Sequence, residues 1–415
     1  MTAIIILPLR YQSQDIALSD WITVLTLCLA PLIAHVLIGA PSPTYLSISR
    51  PSWHERICHY NPTSIIWRYA MITDRRIRAK NWDKVDLAAT NALFWTDGGW
   101  DGSEEIINFS RPRCVQLPDS NMVTLLSRDA IKTLIVTLQG LQAVVLLLGS
   151  QIDPTAPRFN VFMGVDIIFF PVALFGLLRL CSCLWLTDEF AFASMDDTPL
   201  NNCSEMIGCS TTSFQLLPAN PLIPEPRRFR RTSSWASRAS RVVFTTMMLA
   251  LLALALSFIV QIGQVVVYTT TTFVVVLFYL WILAGTTLIS IWYLFFKKST
   301  STVIPCISSI WYKVYTGVVI GFGIAVIAIA CIETRKTPCG KFTSGYGINA
   351  DLSACMDSRF DITEHRKTID GPYSGNTTWH FTKASNTSFV SVNYEDDKQN
   401  VLNFTRLCFS SKWGI

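Results

Sequence analysis

The sequence predicts an all-α polytopic membrane protein with six transmembrane helices and a small β-rich extracytoplasmic C-terminal region. Only 15% of its 415 residues are charged, whereas soluble proteins have about a quarter. The 55 positions from Val242 to Phe296 contain no Asp, Glu, Lys or Arg. One membrane helix needs about 20 apolar residues, so this run is long enough for two. Two arginines precede the run and two lysines follow it, which places both ends of the hairpin on the cytoplasmic face.

Six apolar segments are long enough to cross a bilayer. The predicted spans are 21–40, 130–150, 161–186, 242–268, 271–296 and 314–332. Residues 1–20 precede the first span and contain only a short apolar run before Arg10. A secretory signal has its positive charge first and a longer apolar run, so we expect no cleaved signal peptide.

The charges between these spans alternate. The loop at 41–129 contains eleven Lys and Arg residues and the loop at 187–241 contains six, whereas 151–160 contains only Arg158. Positively charged loops remain on the cytoplasmic side. The first, third and fifth loops are therefore predicted to be cytoplasmic, and both termini, 1–20 and 333–415, extracytoplasmic. Such a protein belongs in the plasma membrane or in an endomembrane of the secretory pathway.

The C-terminal tail carries an independent signal of the same orientation. Three Asn-x-Ser/Thr sequons fall in it, at Asn376, Asn386 and Asn403. This pattern is the acceptor for N-glycosylation in extracytoplasmic segments, so we expect a glycoprotein. The sequons at Asn108 and Asn202 fall in predicted cytoplasmic loops and are expected to remain unmodified.

The same tail is predicted to form a small domain. Short segments rich in Thr, Val, Phe and Trp at 377–383, 388–394 and 401–409 favour β-strands, with disorder as the alternative. Four cysteines could stabilise it in an oxidising compartment, namely Cys331, Cys339, Cys355 and Cys408. Spacing does not determine their connectivity, and free thiols are the alternative.

The first cytoplasmic loop begins with a helix signal. Asn61, Pro62 and Thr63 precede an apolar and basic run, as at a capped helix start. Two interpretations fit this amphipathic helix: it lies on anionic lipid at the membrane interface, or it packs on the cytoplasmic ends of the spans. The string RPSWHERICHYNPTSIIWRYAMITDRR, with APLIAHVLIGAPSP before it, resembles uncharacterised multi-pass membrane proteins of filamentous fungi. This resemblance covers the first quarter of the chain and implies no activity.

The third loop ends in PEPRRFRRTSSWASRASR, directly before a span. Arginines in this position attract anionic lipid, which makes the bilayer itself the expected partner at the basic cytoplasmic loops. The alternative is that they only set the topology. Ser233 follows Arg230 and Arg231 as in a site for basophilic kinases, and a phosphate there would weaken lipid contact.

Few ionisable groups lie within the spans, and Asp166 is the candidate for a transport role because an acid in the membrane is costly. The polar side chains predicted to accompany it are Gln139, Gln142, Gln261 and Gln264. The alternative is that Asp166 lies close enough to the outer surface to remain hydrated. In the last span, Gly317 and Gly321 have the spacing of a helix-packing face.

The chain contains no convincing catalytic or metal-binding pattern. Its twelve cysteines form no CxxC pair, and His54, Cys58 and His59 would need a distant ligand to complete a zinc site. A net charge of +5 gives no support for nucleic-acid binding. We therefore expect no catalytic residue, cofactor or metal. The predicted function is a non-enzymatic, receptor-like, scaffolding or accessory membrane component, and the alternative is a transporter or channel that uses Asp166 and the intramembrane glutamines.

Overall fold

The computed structural model describes residues 3–124, 126–152, 162–194, 228–259, 265–337, 340–346 and 350, together with the backbone of four strands in the tail. The helices in chain order are α1 (Leu18–Gly39), α2 (Trp53–Ile57), α3 (Pro62–Arg78), α4 (Lys84–Asn91), α5 (Glu105–Ser110), α6 (Arg128–Ile152), α7 (Val172–Leu178), α8 (Trp235–Ser257), α9 (Thr270–Ile291) and α10 (Ile310–Glu333). The strands are β1 (Ala3–Ile6), β2 (Pro43–Tyr45), β3 (Leu93–Thr96), β4 (Gly99–Asp101), β5 (Cys114–Gln116), β6 (Ala191–Phe192), β7 (Val265–Tyr268), β8 (Arg335–Lys336), β9 (Phe342–Thr343), β10 (Arg366–Asp370), β11 (His380–Ser385), β12 (Ser388–Glu395) and β13 (Lys398–Thr405).

Four helices are long and apolar enough to cross a membrane: α1, α8, α9 with the π-helical turn Trp292–Phe296 that continues it, and α10. Each carries large apolar side chains on its outer surface, for example Leu37, Val243, Leu288 and Ile324. Apolar faces of this size are costly in water and are stable against lipid. The protein is therefore an integral membrane protein.

The long helices alternate in direction. At one end, the Thr271 N–H of α9 donates to the Glu333 carboxylate of α10 over 2.6 Å. At the other end, Arg241 of α8 donates to the Leu294 carbonyl beyond α9 over 2.7 Å. We call the end where α8 begins and α9 finishes the basic end, and the opposite one the far end. Helix α6 begins at the basic end, because Thr133 Oγ1 accepts a hydrogen bond there from Arg179.

The segment at 161–186, predicted as the third span, is not one continuous helix where the structure describes it. It consists of the 3₁₀ turn Val165–Ile167, then α7, then the 3₁₀ turn Arg179–Cys181. Pro171 has no backbone N–H that could donate a hydrogen bond within a continuous helix, which accounts for the break before α7. The segment still runs from the far end, where the Met163 N–H donates to Thr272, to the basic end, where Arg179 donates to the Ile38 carbonyl. A 3₁₀ turn rises by about 2.0 Å per residue, so fewer residues cover the distance.

Two glycines allow α6 and α7 to pack closely. A Cβ atom added to Gly176 of α7 would lie 2.1 Å from Val136 Cγ1 of α6. One added to Gly140 of α6 would lie 2.8 Å from the Ala173 carbonyl oxygen of α7. Small residues at a membrane helix interface permit this approach of the two backbones.

The fourth predicted span, 242–268, differs from the helix observed. Helix α8 starts at Trp235 and finishes at Ser257, and the end of the apolar run, Val265–Tyr268, is the strand β7. This strand pairs in parallel with β1 at the far end. Branched residues in the sequence VVVY favour a strand over a helix. Helix α8 starts earlier than the predicted span because Arg241 pairs with the buried Asp74 and can therefore lie inside the helix.

Helix α3 is buried on all sides. Asn61 caps it by accepting a hydrogen bond from the Thr63 N–H over 2.9 Å, and Pro62 is its first residue, as the sequence pattern predicts. Trp67 and Tyr69 are no more than 1% exposed, and the helix packs on α1, α8 and α9. The packed interpretation of this helix is therefore correct, and the interfacial one is wrong.

A network of hydroxyl groups attaches the start of α3 to the neighbouring helices. Thr63 Oγ1 lies 2.8 Å from Thr286 Oγ1, and Ser64 Oγ lies 2.6 Å from the Tyr312 hydroxyl. Asn61 Nδ2 donates to Thr316 Oγ1 over 2.9 Å. Each of these six polar side chains finds a partner, so the contacts specify the position of the start of α3.

The loops at the basic end form a folded layer continuous with the bundle. The sheet β2-β3-β4 and the pair β5-β6 belong to this layer. A second, smaller core holds it together, including Phe94, Ile107 and Phe192. The predicted cytoplasmic loops are therefore ordered where the structure describes them.

At the far end β8 pairs with β9, and in the tail β10, β13, β12 and β11 form an antiparallel sheet in that order. The predicted segments 377–383, 388–394 and 401–409 overlap β11, β12 and β13, although their bounds differ by several residues.

Candidate functional site

A buried ion cluster joins α3 to α8 at the basic end. Both Asp74 carboxylate oxygens accept hydrogen bonds from Arg241, over 3.2 Å from Nε and 2.8 Å from Nη2. Arg78 Nε donates to Asp74 Oδ2 over 2.9 Å, and the Ser237 hydroxyl donates to Oδ1. Arg78 also contacts Glu104. Burial alone would raise the pKa of Asp74, but the hydrogen bonds and charge of Arg241, together with Arg78 and Ser237, outweigh it and leave the pKa below its ordinary value.

Two other arginines of α3 are buried against backbone carbonyls. Arg68 donates to the Gly39 carbonyl over 2.8 Å and to the Asn91 carbonyl over 2.6 Å. Arg75 donates to the Gly102 and Thr300 carbonyls. Carbonyl dipoles at loop and helix ends partly compensate these charges. Arg68 and Arg75 therefore serve the fold and are not exposed to lipid.

A second ion cluster attaches the residues before α8 to α4. Asp83 caps α4, and Asp86 completes its capping box. Arg228 pairs with both carboxylates, and Arg111 pairs with Asp83 over 2.7 Å. Burial, with repulsion from Asp83, raises the pKa of Asp86 to about 6 despite its hydrogen bonds and Arg228. The fold therefore holds a proton on Asp86 more tightly than the unfolded chain does, so the contribution of Asp86 to stability is complete at acidic pH and is lost as the pH rises through about 6.

Five cations are exposed at the basic end where α8 begins and α9 finishes. They are Arg230, Arg231, Arg238, Lys297 and Lys298, which we call the cationic rim. The first three lie at the start of α8 and the two lysines lie beyond α9. These two helix ends are adjacent, since Arg241 donates to both the Leu294 and Ser299 carbonyls. Among the residues that the structure describes, no rim cation has an ion-pair partner.

Exposed aromatic side chains accompany the cationic rim. Trp235, the first residue of α8, is 83% exposed, and Phe296 next to Lys297 is 69% exposed. Amphipathic aromatic rings at the ends of membrane helices lie at the level of the lipid headgroups. The rim therefore combines exposed cations with exposed aromatic rings at the ends of two membrane helices.

Asp166 lies near the far end, in the 3₁₀ turn Val165–Ile167, which packs on α1. Its Oδ1 atom is buried and has no hydrogen-bond partner within the described residues. Of the predicted glutamine partners, Gln142 is exposed on α6 and Gln139 is half-buried on the same helix, while Gln261 and Gln264 lie outside the described residues.

His35 is a second unpartnered polar group, which the sequence analysis did not identify as a site. Both ring nitrogens are buried without a hydrogen-bond partner in the described part of the chain. The ring packs edge-on against Phe175 of α7, with 5.9 Å between centroids. His35 of α1 contacts Phe175 of α7, and the turn that contains Asp166 packs on α1, so both residues lie along the seam between α1 and the α7 segment.

Two other sequence candidates lie on accessible surfaces. Ser233 is exposed in the turn before α8, beside the exposed Arg231. A Cβ atom added at Gly317 or Gly321 would meet nothing within 4 Å. The small face of α10 is therefore not packed against a described helix of the same chain, and its use by another chain stays a prediction.

The structure leaves the predicted modification sites of the tail untested. Asn376, Asn386, Cys339, Cys355 and Cys408 lie outside the described residues, and of Asn403 only the backbone in β13 is described. Cys331 is half-buried near the end of α10. Asn108, which we expect to be unmodified, is exposed on α5. In the described ranges no three His, Cys, Asp or Glu side chains form a metal-binding group, and His54 instead contacts the Ser52 hydroxyl over 2.9 Å.

Comparison with known proteins adds no identity to this geometry. No family model, curated protein or solved structure matches the chain. The proposal of a function therefore depends on the residues described above.

Proposed function

We propose that the chain crosses the membrane six times, with the basic end in the cytoplasm and both termini outside. We assign one further crossing each to α6 and to the α7 segment, in addition to the four helices that are long and apolar enough to cross a membrane. The exposed leucines Leu134, Leu138 and Leu141 give α6 an apolar outer face. Excess positive charge keeps the basic end cytoplasmic, and the tail with Asn376, Asn386 and Asn403 is then extracytoplasmic and glycosylated.

Within this topology the protein acts without catalysis, as a receptor-like, scaffolding or accessory component whose cationic rim binds anionic lipid. The observation that carries this proposal is the separation of the cations at the basic end. Arg68, Arg75, Arg78, Arg228 and Arg241 are compensated inside the protein, whereas the rim cations are exposed beside Trp235 and Phe296. Cations next to a membrane surface attract anionic headgroups.

A double replacement of rim cations tests this function. Arg230→Gln with Arg231→Gln is expected to weaken binding of dioctanoyl phosphatidylserine to the detergent-solubilised protein by about 30-fold. Native mass spectrometry measures this affinity, with dioctanoyl phosphatidylcholine as the neutral probe. Arg56→Gln with Lys84→Gln removes the same charge at exposed positions outside the rim and should change the affinity less than threefold. Equal losses in the two double variants would contradict a site at the rim.

A second candidate function is proton-coupled transport along the seam between α1 and the α7 segment. It is favoured by the unpartnered Asp166 and His35 in that seam. Buried polar atoms without a partner are rare in folded proteins, and a transported proton or an ordered water would satisfy them.

Proton flux in reconstituted liposomes tests the second candidate. With a potassium diffusion potential and an entrapped pH dye, Asp166→Asn and His35→Phe are each expected to lower the flux at least tenfold, because each removes a titratable group from the seam. Asp20→Asn is the matched control, since Asp20 is a far-end acid paired with Lys336 outside the seam. A flux unchanged in Asp166→Asn at normal protein abundance would remove this candidate and leave the lipid-binding proposal intact.

A further inference from the structure

The bundle contains an apolar cleft in its far half. Helix α6 packs on α7 and α8 packs on α9, and the cleft lies between these two helix pairs. Its walls include Leu147 of α6, Leu174 of α7, Ala255 of α8 and Val276 of α9. The empty volume is about 510 Å³ with the open mouth included.

The chemistry of the walls excludes polar ligands. The lining residues are aliphatic or aromatic, with Met163 as a further member. The single hydroxyl among them, that of Tyr279, already donates to the Ile168 carbonyl over 2.9 Å. Water in such a cleft would lack hydrogen-bond partners, so the cleft is either dry or filled by an apolar group.

The position of the cleft identifies the apolar group. The lining residues of α8 lie in its second half, and those of α9 lie in its first half except Leu283, so the cleft belongs mainly to the far half of the membrane. Outside the cleft, the lipid-facing surfaces of α6 and α8 continue with exposed residues such as Val145 and Leu249. The cleft is therefore a recess in a surface that lipid covers, and acyl chains are the apolar groups present there.

We propose that this cleft is a binding site for one acyl chain of a lipid from the far leaflet. The acyl chain inserts between α6 and α8 and contacts α7 and α9 at the base of the cleft. This site is separate from the cationic rim in position and in chemistry, because it binds the tail of a lipid at the far half and not a headgroup at the basic end. The inference rests on the proposed six-span topology, because α6 must face lipid.

Photolabelling in nanodiscs tests the site with phosphatidylcholine that carries a diazirine in the middle of one acyl chain. After irradiation and peptide mapping, we expect the adduct yield on Leu174 and Ala255 to be at least fivefold above that on the outward-facing Leu249 and Ile324. The neutral headgroup makes this result independent of the cationic rim. Equal yields at all four positions would show ordinary surrounding lipid and overturn the proposal.

Variants that fill the cleft provide the second arm. Ala255→Phe is expected to remove at least 80% of the adducts on Leu174 and to leave those on Ile324 unchanged. The matched control is Leu249→Phe, which adds a ring on the outer face of the same helix. If Ala255→Phe does not fold, Val276→Phe fills the cleft from α9. Cleft adducts that survive in a folded filling variant, or labelling of the cleft by a photoreactive sterol but not by the acyl probe, would refute the site.

Discussion

Asp74→Ala is expected to lower the free energy of unfolding by about 3–5 kcal/mol, because it leaves Arg241 buried without a counter-charge and Arg78 with Glu104 alone. The Asp74 side chain is 1% exposed, so water does not replace the carboxylate. The measurement is the denaturation midpoint in mixed micelles, with the yield of monodisperse protein as a second readout. Glu105→Ala is the control, because it removes an acidic side chain that is exposed on α5. The denaturation midpoint of this variant should shift little.

A triple variant separates the uncompensated charge from the loss of packing. Asp74→Met with Arg78→Leu and Arg241→Met replaces the ions by apolar side chains and is expected to recover at least half of the lost stability. A triple variant as unstable as Asp74→Ala would disprove the electrostatic explanation.

Lowering the pH should reproduce part of the destabilisation expected for Asp74→Ala. The pKa of Asp74 is depressed in the fold, so its contribution is complete above the unfolded value of about 3.8 and is lost as the pH falls through the folded value. In Asp74→Ala this part of the acid sensitivity should be absent.

Gly176→Ala is expected to destabilise the bundle by about 1–3 kcal/mol, because the added methyl group overpacks the contact between α6 and α7. The new Cβ would lie 2.1 Å from Val136 Cγ1 and 3.3 Å from the Val136 carbonyl oxygen, so rotation of the valine relieves only the first contact. The same denaturation assay measures the loss, and Val136→Ala in the Gly176→Ala background should restore part of it.

The matched control for Gly176 is a glycine that faces open space. Gly317→Ala on α10 adds a Cβ that meets nothing within 4 Å, and alanine is the better helix former. Gly317→Ala should therefore be neutral or stabilising. A loss in Gly317→Ala as large as that in Gly176→Ala would show that the cost does not arise from the contact with Val136.

The helices with uninterrupted apolar runs were predictable from sequence. The span predicted at 314–332 lies within α10, and 21–40 overlaps nearly all of α1. In both, apolar length and flanking charge are local properties. The end of α8 was not predictable from hydropathy, because VVVY continues the apolar run although it pairs with β1 as a strand. Hydropathy does not distinguish an apolar strand from an apolar helix.

The polar core was predictable only in part. The Asn61-Pro62 cap and the helix that follows were recognisable, because capping depends on neighbouring residues. The pairing of Asp74 with Arg241 was not, because it joins residues 167 positions apart. For the same reason the sequence did not distinguish the buried Arg241 from the exposed Arg238, three residues before it in the same basic stretch.

The burial of α3 has a consequence for biosynthesis. Its contacts with the Thr300 and Ser301 carbonyls join residues 225 and 234 positions apart. At about 5–20 residues per second, the ribosome needs roughly 10–50 s to make the second partner after the first. During that interval Asp74 lacks Arg241 for part of the time and Arg75 lacks the Thr300 carbonyl throughout, in a helix that is too polar to enter lipid. We therefore expect the newly made protein to need protection of α3 by a chaperone or the insertion machinery, and protein truncated before residue 300 to be degraded rather than to accumulate.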